Sequence, residues 1–384
     1  MKRITEDWIT EQATQNVCAA LTGGGAQALF VGGCVRNALL QAPVSDIDIA
    51  TDARPERVLE LSQKAGLKPI PTGIEHGTVT VVSKGIPHEV TTFRRDVETD
   101  GRRAVVAFSD KVEEDAARRD FTMNALYARP DGTILDPLDG LPDLQARRVR
   151  FIGEARDRIR EDYLRSLRYF RFHAWYGDTE AGFDADALAA IAANLDGLEQ
   201  LSRERVGAEM LKLLAAPDPA PSVAAMRSSG VLTRLLPGVD DTALAILVKL
   251  EQDAGARPDS IRRLAAIAPV DVAKTLRLSR AQLQRLTRMR DEAMASISVA
   301  ELGYRYGAEG GLHETLLRGA FLEQPWSGDL SDALDHGAAA SFPIKATDLI
   351  PTFSGPALGA KLAELEARWI ASDFTLNREE LLAE

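Results

Sequence analysis

The chain reads as an α+β protein, a small mixed-sheet unit followed by a long all-helical remainder. Three observations predict this. Short apolar runs flanked by turn residues fill the first third and almost vanish after Arg147. Beyond that point Ala, Leu, Arg and Glu dominate at helical spacing, as in Leu164, Leu167, Phe170 and again in Met210, Leu213, Leu214. The chain has 384 residues, enough for two or three domains. We expect boundaries at 1–145, 146–216 and 217–384.

The first unit should contain strands at Ala28–Val31, Asp46–Ala50, Thr78–Val82, Pro87–Phe93 and Thr133–Asp136, alternating with helices. One helix should start near Ala53, capped by Thr51 or Asp52, with Pro55 in its first turn. A second should run from Glu113 to Ala128. In the remainder, breaks are expected at Pro217–Pro221, at Arg257-Pro258-Asp259 and around Pro325–Asp329. Leu283, Leu286 and Met289 form one more core stripe.

Composition excludes several classes. No run is long and apolar enough to span a bilayer, and Met1–Trp8 lacks an apolar signal core. Cys18 and Cys34 are the only cysteines, so no disulfide framework is expected, and the cytoplasm is the expected compartment. The five histidines are scattered singly, without zinc spacing. A net charge of −11 argues against nonspecific coating of nucleic acid. Yet nine arginines face only four acids between Arg147 and Arg171, a local basic track.

The densest chemistry lies early. Gly32 and Gly33 follow the first strand, where glycine lets backbone N–H groups approach an anion. Arg36 adds a charge-assisted fork for the same phosphates. Asp46 and Asp48 follow in Ser45-Asp46-Ile47-Asp48-Ile49; period two places both carboxylates on one strand face, opposite Ile47 and Ile49. Neighbouring carboxylates repel unless a cation neutralises them. Two hard oxygen ligands suit Mg²⁺, which completes its shell with water and phosphate. Glu89, on a strand that could lie beside the second, is a third candidate acid, as metal ligand or base. Each feature alone has a plainer explanation, as a turn or a solvated strand face. Their combination is what points to triphosphate and metal. No Gly-Lys-Ser/Thr or G-x-G-x-x-G is present, so neither a P-loop nor a dinucleotide site is expected.

Two later segments supply recognition chemistry. In Arg118-Arg119-Asp120-Phe121-Thr122-Met123-Asn124, a helix would set Asp120 and Asn124 on one face to hold sugar hydroxyls, with Arg119 reaching phosphate. In Glu161–Arg171, Asp162, Arg165, Arg168 and Arg171 recur every third residue beside a buried Leu164, Leu167, Phe170 stripe. A carboxylate and a guanidinium side by side suit the Watson–Crick edge of a base, where a bidentate contact discriminates by about 1–3 kcal/mol. An exposed intrahelical ion pair would be worth only about 0.2–0.5 kcal/mol.

These segments resemble, in order, the signatures of the class II tRNA nucleotidyltransferase and bacterial poly(A) polymerase family. Gly32–Arg36 with Asp46-Ile47-Asp48 is similar to the first, and Arg118–Ala125 to the second. Asp136–Leu144 resembles the hinge signature, Glu161–Arg168 the base-templating helix, and Leu201–Met210 the helix supporting it. The resemblance covers residues 30–215 and weakens beyond. It implies a nucleotidyltransferase head of the DNA polymerase β-like kind and a helical neck, body and tail that grip tRNA. It implies metal on Asp46 and Asp48, triphosphate on Gly33, Arg36 and Arg119, ribose near Asp120 and Asn124, and base pairing to Asp162 and Arg165 with Arg168 and Arg171 behind. It departs at Asn37, where the family usually has Asp. The implied activity is Mg²⁺-dependent addition of CCA to tRNA from CTP and ATP. Poly(A) synthesis, CC- or A-only addition, and a silent RNA-binding module are the alternatives.

Overall fold

The computed structural model describes residues 3–100, 103–350 and 352–383. They form two compact units, Met1–Leu235 and Leu236–Glu384.

The first unit is built on a seven-stranded mixed sheet. Its strands are β1 (Leu29–Val31), β2 (Asp48–Thr51), β3 (Lys68–Gly73), β4 (Thr78–Ser83), β5 (Ile86–Thr92), β8 (Tyr127–Ala128) and β9 (Ile134–Leu135), in the order β3-β4-β5-β2-β1-β8-β9. A separate hairpin pairs β6 (Arg94–Asp100) with β7 (Arg103–Phe108). β2 runs parallel to β5 and antiparallel to β1. Lys84 and Gly85 link β4 to β5 with φ of 49° and 83°, the tight left-handed turn that suits a two-residue hairpin loop.

Alternation sorts the two faces. Val79, Val90 and Ile49 are fully buried beneath the helices Gln12–Gly23 and Pro55–Lys64. His88 is buried on that same face and meets Thr14 Oγ1 at 3.0 Å. Thr80, Glu89 and Asp48 have the opposite parity, and the register sets Glu89 beside both Asp48 and Thr80. β1 is buried throughout, because it lies between β2 and β8.

The sheet leads into helices through an aromatic core. Phe121 packs against Phe151 and Phe172 at 5.0 and 4.9 Å between centroids, and Tyr169 stacks on Phe151 at 5.6 Å. Burying rings of this size contributes roughly 1.5–3 kcal/mol each. The helices Ala155–Glu161, Leu164–Tyr176 and Arg203–Leu214 follow, with Leu164, Leu167 and Phe170 buried as the stripe required.

The regular elements of the second unit are all helices among its described residues. Its breaks at Arg257-Pro258-Asp259 and before Gly328 lie near the expected places. Trp369, Leu365, Ile344, Leu349 and Leu381 form one core cluster. Arg262 and Arg263 are fully buried and share Glu251, Nε to oxygen at 2.8 and 2.9 Å.

Four local expectations fail. The helix expected over Glu113–Ala128 stops at Ala117; a 3₁₀ turn occupies Thr122–Asn124, and Tyr127–Ala128 is a strand. Phe121 is extended there and bridges Phe151, so tertiary pairing overrides helical spacing. β2 begins at Asp48, so Asp46 lies in the loop before it rather than on the strand. Neither Thr51 nor Asp52 caps the helix Pro55–Lys64. Arg54 holds that position without a side-chain cap, while Asp52 accepts from the backbone N–H of Gln27 at 2.7 Å. Strands β3, β6, β7 and β8 were not expected; prolines at 69 and 71 mask the first.

Candidate active site

The open face of the sheet carries the acids. Asp48 and Glu89 are direct cross-strand neighbours. Burial pushes the Asp48 carboxyl above its ordinary value; Glu89 and Asp46 push it further, and Arg119 opposes them. Exposed Asp46 accepts from Ser45 Oγ at 2.9 Å. A carboxylate whose ionisation is opposed by burial and by two neighbouring acids has the chemistry of a divalent-cation site. Among the described residues, no three His, Cys, Asp or Glu side chains are gathered tightly enough to hold a metal unaided. That fits an ion that draws part of its shell from substrate phosphate.

Gly32 turns the chain out of β1 with φ 70° and ψ −118°, a conformation that favours glycine. A Cβ there would stand 3.6 Å from Arg119 Nη1, so the arginine reaches the turn itself. Asp115 and Tyr127 aim it. Asp115 Oδ2 accepts from Arg119 Nη2 at 2.9 Å and from Tyr127 Oη at 2.7 Å, and Tyr127 Oη accepts from Arg119 Nε at 3.1 Å. Burial alone would raise the Asp115 carboxyl, but Arg119 and Arg118 outweigh it and hold it at about 2.

Arg36 follows on the helix Gly33–Leu39 and is only 6% exposed. It donates to Asn37 and Asn124 side-chain oxygens and to the Tyr176 hydroxyl. Its guanidinium lies 4.0 Å from the Tyr176 ring centroid. Among the described residues no carboxylate is bonded to it, and burial, Arg171 and Arg168 depress its pKa while Tyr176 and Asp120 support it.

Asp120 and Asn124 meet although no helix joins them: Asn124 Nδ2 donates to Asp120 Oδ1 at 3.0 Å. Asp120 Oδ2 accepts from Arg168 Nε at 2.7 Å. Arg171 Nε donates to Glu209 at 2.6 Å.

The row expected to read the base is broken at its head. The helix ends at Glu161, and Asp162 sits in extended backbone with φ −152°. Its Oδ1 accepts from the Leu164 N–H at 3.1 Å, and its Oδ2 pairs with Arg205 at 2.6 Å. Arg165 turns away, to Glu161 and to the carbonyls of Arg158 and Arg118. Asp162 and Arg165 are therefore not the adjacent helical pair expected from spacing. An Asx-type bond to Leu164 restarts the helix and breaks the row.

The sequence reading did not single out Arg205, Glu209, Asp115, Tyr127, Phe172 or Tyr176. Arg205 and Glu209 stand four apart on one helix face, with charges opposite to those they grip. Asp115 lies three and four residues before Arg118 and Arg119, a helical ion-pair spacing. For Tyr127 and Tyr176 no sequence signal existed.

Residues 28–150 match the poly A polymerase head domain family, and residues 182–242 match the family described as the probable RNA and SrmB-binding site of polymerase A. The CCA tRNA nucleotidyltransferase 1, mitochondrial, of Mus musculus is 33% identical over 92% of this chain and 85% of its own length. The chain belongs to the CCA tRNA nucleotidyltransferase family. The CCA-adding enzyme of Geobacillus thermodenitrificans is 42% identical over 59% of this chain and 55% of its own length. The crystal structure of the Bacillus stearothermophilus CCA-adding enzyme in complex with CTP shares the fold at a TM-score of 0.74 and 30% identity, covering 94% of this chain and 93% of that one. Membership makes the chain a nucleotidyltransferase, and no helix among its described residues is long and apolar enough to cross a membrane.

Proposed function

We propose that this nucleotidyltransferase adds C, C and A to the 3′ end of tRNA, taking CTP and ATP as substrates. The observation that carries the reading is Arg36. Among the described residues this buried guanidinium bonds only to neutral acceptors, which suits it to an incoming anion, and it stands in the same unit as the Asp48–Glu89 pair. A triphosphate chelating a divalent cation satisfies both at once.

In this reading the Gly32–Gly33 turn, Arg36 and Arg119 hold the phosphates, and Asp120 and Asn124 approach the ribose. Asp46 and Asp48 hold Mg²⁺, with Glu89 beside Asp48 as a further ligand or base. Bound Mg²⁺ supplies charge neutralisation and makes the tRNA 3′-hydroxyl more acidic. The 3′-oxygen attacks the α-phosphorus, the bond to the β-phosphate oxygen breaks, and pyrophosphate leaves. Positioning carries most of the acceleration.

Asp162 and Arg165 read the base, with Arg168 and Arg171 fixed behind them by Asp120 and Glu209. Reading requires Arg165 to exchange its carbonyl partners for the base. Residues 1–145 act as catalytic head, 146–216 as neck, and 217–384 as body and tail gripping tRNA by shape and phosphate. Both cysteines are buried and unpaired, which suits a reducing compartment such as the cytoplasm.

The deciding experiment incubates tRNA lacking its CCA end with labelled CTP and ATP, separately and together. Two C residues from CTP alone and a complete CCA from both are expected. Long A tracts from ATP alone would assign a poly(A) polymerase, and no incorporation would reject the reading.

A further inference from the structure

Three guanidiniums surround the Phe172 ring: Arg171 at 4.7 Å, Arg36 at 5.1 Å and Arg168 at 5.3 Å from its centroid. Two of them are neutralised. Arg168 is bonded to Asp120, and Arg171 to Glu209. Arg36 is not. Its acceptors are two amide oxygens and a phenol.

Asn37 is central to that neutral cage. Its Oδ1 takes both Arg36 Nε, at 3.1 Å, and Nη2, at 2.9 Å. One oxygen thus takes two guanidinium N–H groups, a position in which a carboxylate oxygen would form a charge-assisted ion pair with Arg36. Its Nδ2 donates to the Pro43 carbonyl at 2.8 Å, in the loop that leads to Asp46. An aspartate here could accept from Arg36 but not donate to Pro43. It would spend the charge of Arg36 internally and set two oxygens against each other at Pro43. Asparagine keeps the orientation and leaves the charge available.

We propose that Asn37 is a positioning residue that sets polyphosphate affinity, holding Arg36 in place un-neutralised so that it binds the incoming triphosphate and the departing pyrophosphate tightly. The proposal rests on Arg36 being a triphosphate contact. It predicts a chain strongly inhibited by pyrophosphate, an inhibition that a single carboxylate at this position relieves.

The test compares Asn37→Asp, Asn37→Ala and Arg36→Gln, each checked for folding by circular dichroism. KM for CTP and the inhibition constant of pyrophosphate are measured at saturating tRNA, and pyrophosphate binding is also titrated in EDTA to remove any contribution from metal. Asn37→Asp should raise all three constants roughly tenfold or more, since like-charge juxtaposition costs several kcal/mol and about 1.4 kcal/mol is tenfold. Asn37→Ala loses three hydrogen bonds but adds no charge, so its shifts should be clearly smaller. Equal shifts in the two variants, or none in Asn37→Asp, would overturn the proposal. If Arg36→Gln also leaves pyrophosphate binding unchanged, the assignment of Arg36 itself fails. If Arg36→Gln weakens binding while Asn37→Asp does not, only the role of Asn37 fails.

Discussion

Arg168 reaches across 48 residues of chain to Asp120, Nε to Oδ2 at 2.7 Å, with its Nη2 on the same oxygen. One ion pair thereby joins the Arg118–Asn124 segment, packed on the sheet, to the helix Leu164–Tyr176. Tyr176 makes a second joint at the far end of that helix, through Arg36. The elements assigned to phosphate and to base are thus one hydrogen-bonded assembly.

Asp48→Asn should abolish nucleotide addition, by a factor of roughly 10³ or more, because it removes charge where positive charge must gather. Without metal the same variant should melt higher than the parent, since burial and two neighbouring acids already oppose ionisation of Asp48. Mg²⁺ should raise the melting temperature of the parent and not of the variant. A zinc-selective chelator in excess Mg²⁺ should leave activity intact. Turnover retained with Mg²⁺ in Asp48→Asn would remove the metal assignment.

Asp162→Ala should keep Mg²⁺-dependent transfer but admit UTP or GTP. The loss of one base contact, about 1–3 kcal/mol, is roughly ten- to a hundredfold in selectivity. Arg205→Ala should relax the preference in the same direction by less, because Arg205 fixes Asp162 Oδ2 at 2.6 Å. Measuring kcat/KM for all four triphosphates on one tRNA checks both. An unchanged ranking in Asp162→Ala would leave Asp162 as a restart signal for the helix alone.

Glu209→Ala should destabilise the first unit by about 3–5 kcal/mol. It strands Arg171 and removes the second carboxylate near Arg168 in a buried setting. Chemical denaturation measures this. A loss under 1 kcal/mol would mean that the two arginines find other partners.

His313 provides a pH test in the second unit. It lies between Arg262, 2.8 Å from Nδ1, and Arg285, 2.9 Å from Nε2. Burial first, then those two arginines, lower its pKa to about 4. The folded state resists a proton that the unfolded chain takes up near 6.5. Stability from this group is therefore complete above about pH 6.5 and lost as pH falls towards 4, by up to about 3 kcal/mol. His313→Gln should flatten the pH dependence of unfolding in that window. An imidazole signal titrating near 6.5 by NMR would contradict it.

The sequence by itself determined which residues are candidates for the chemistry and roughly where the sheet gives way to helices. Gly32, Arg36, Asp48, Asp120 and Asp162 declare themselves through residue type and spacing, because phosphate, metal and base each demand a particular functional group at short range. Alternation in β4 and β5 likewise fixes which face is buried, since a period of two admits no other sorting. What only the tertiary structure decided is how those groups are aimed. The run Glu113–Ala128 has helical spacing but is divided among a helix, a 3₁₀ turn and a strand, since pairing of Phe121 with Phe151 and of Tyr127 with β1 and β9 outweighs weak local propensity. The aim of the Asp162 carboxylate depends on Arg205, 43 residues further on. The neutral surroundings of Arg36 depend on Tyr176, 140 residues away. Local spacing carries no record of such distant partners, so the direction and the charge balance of each side chain are set only when the helices close on the sheet.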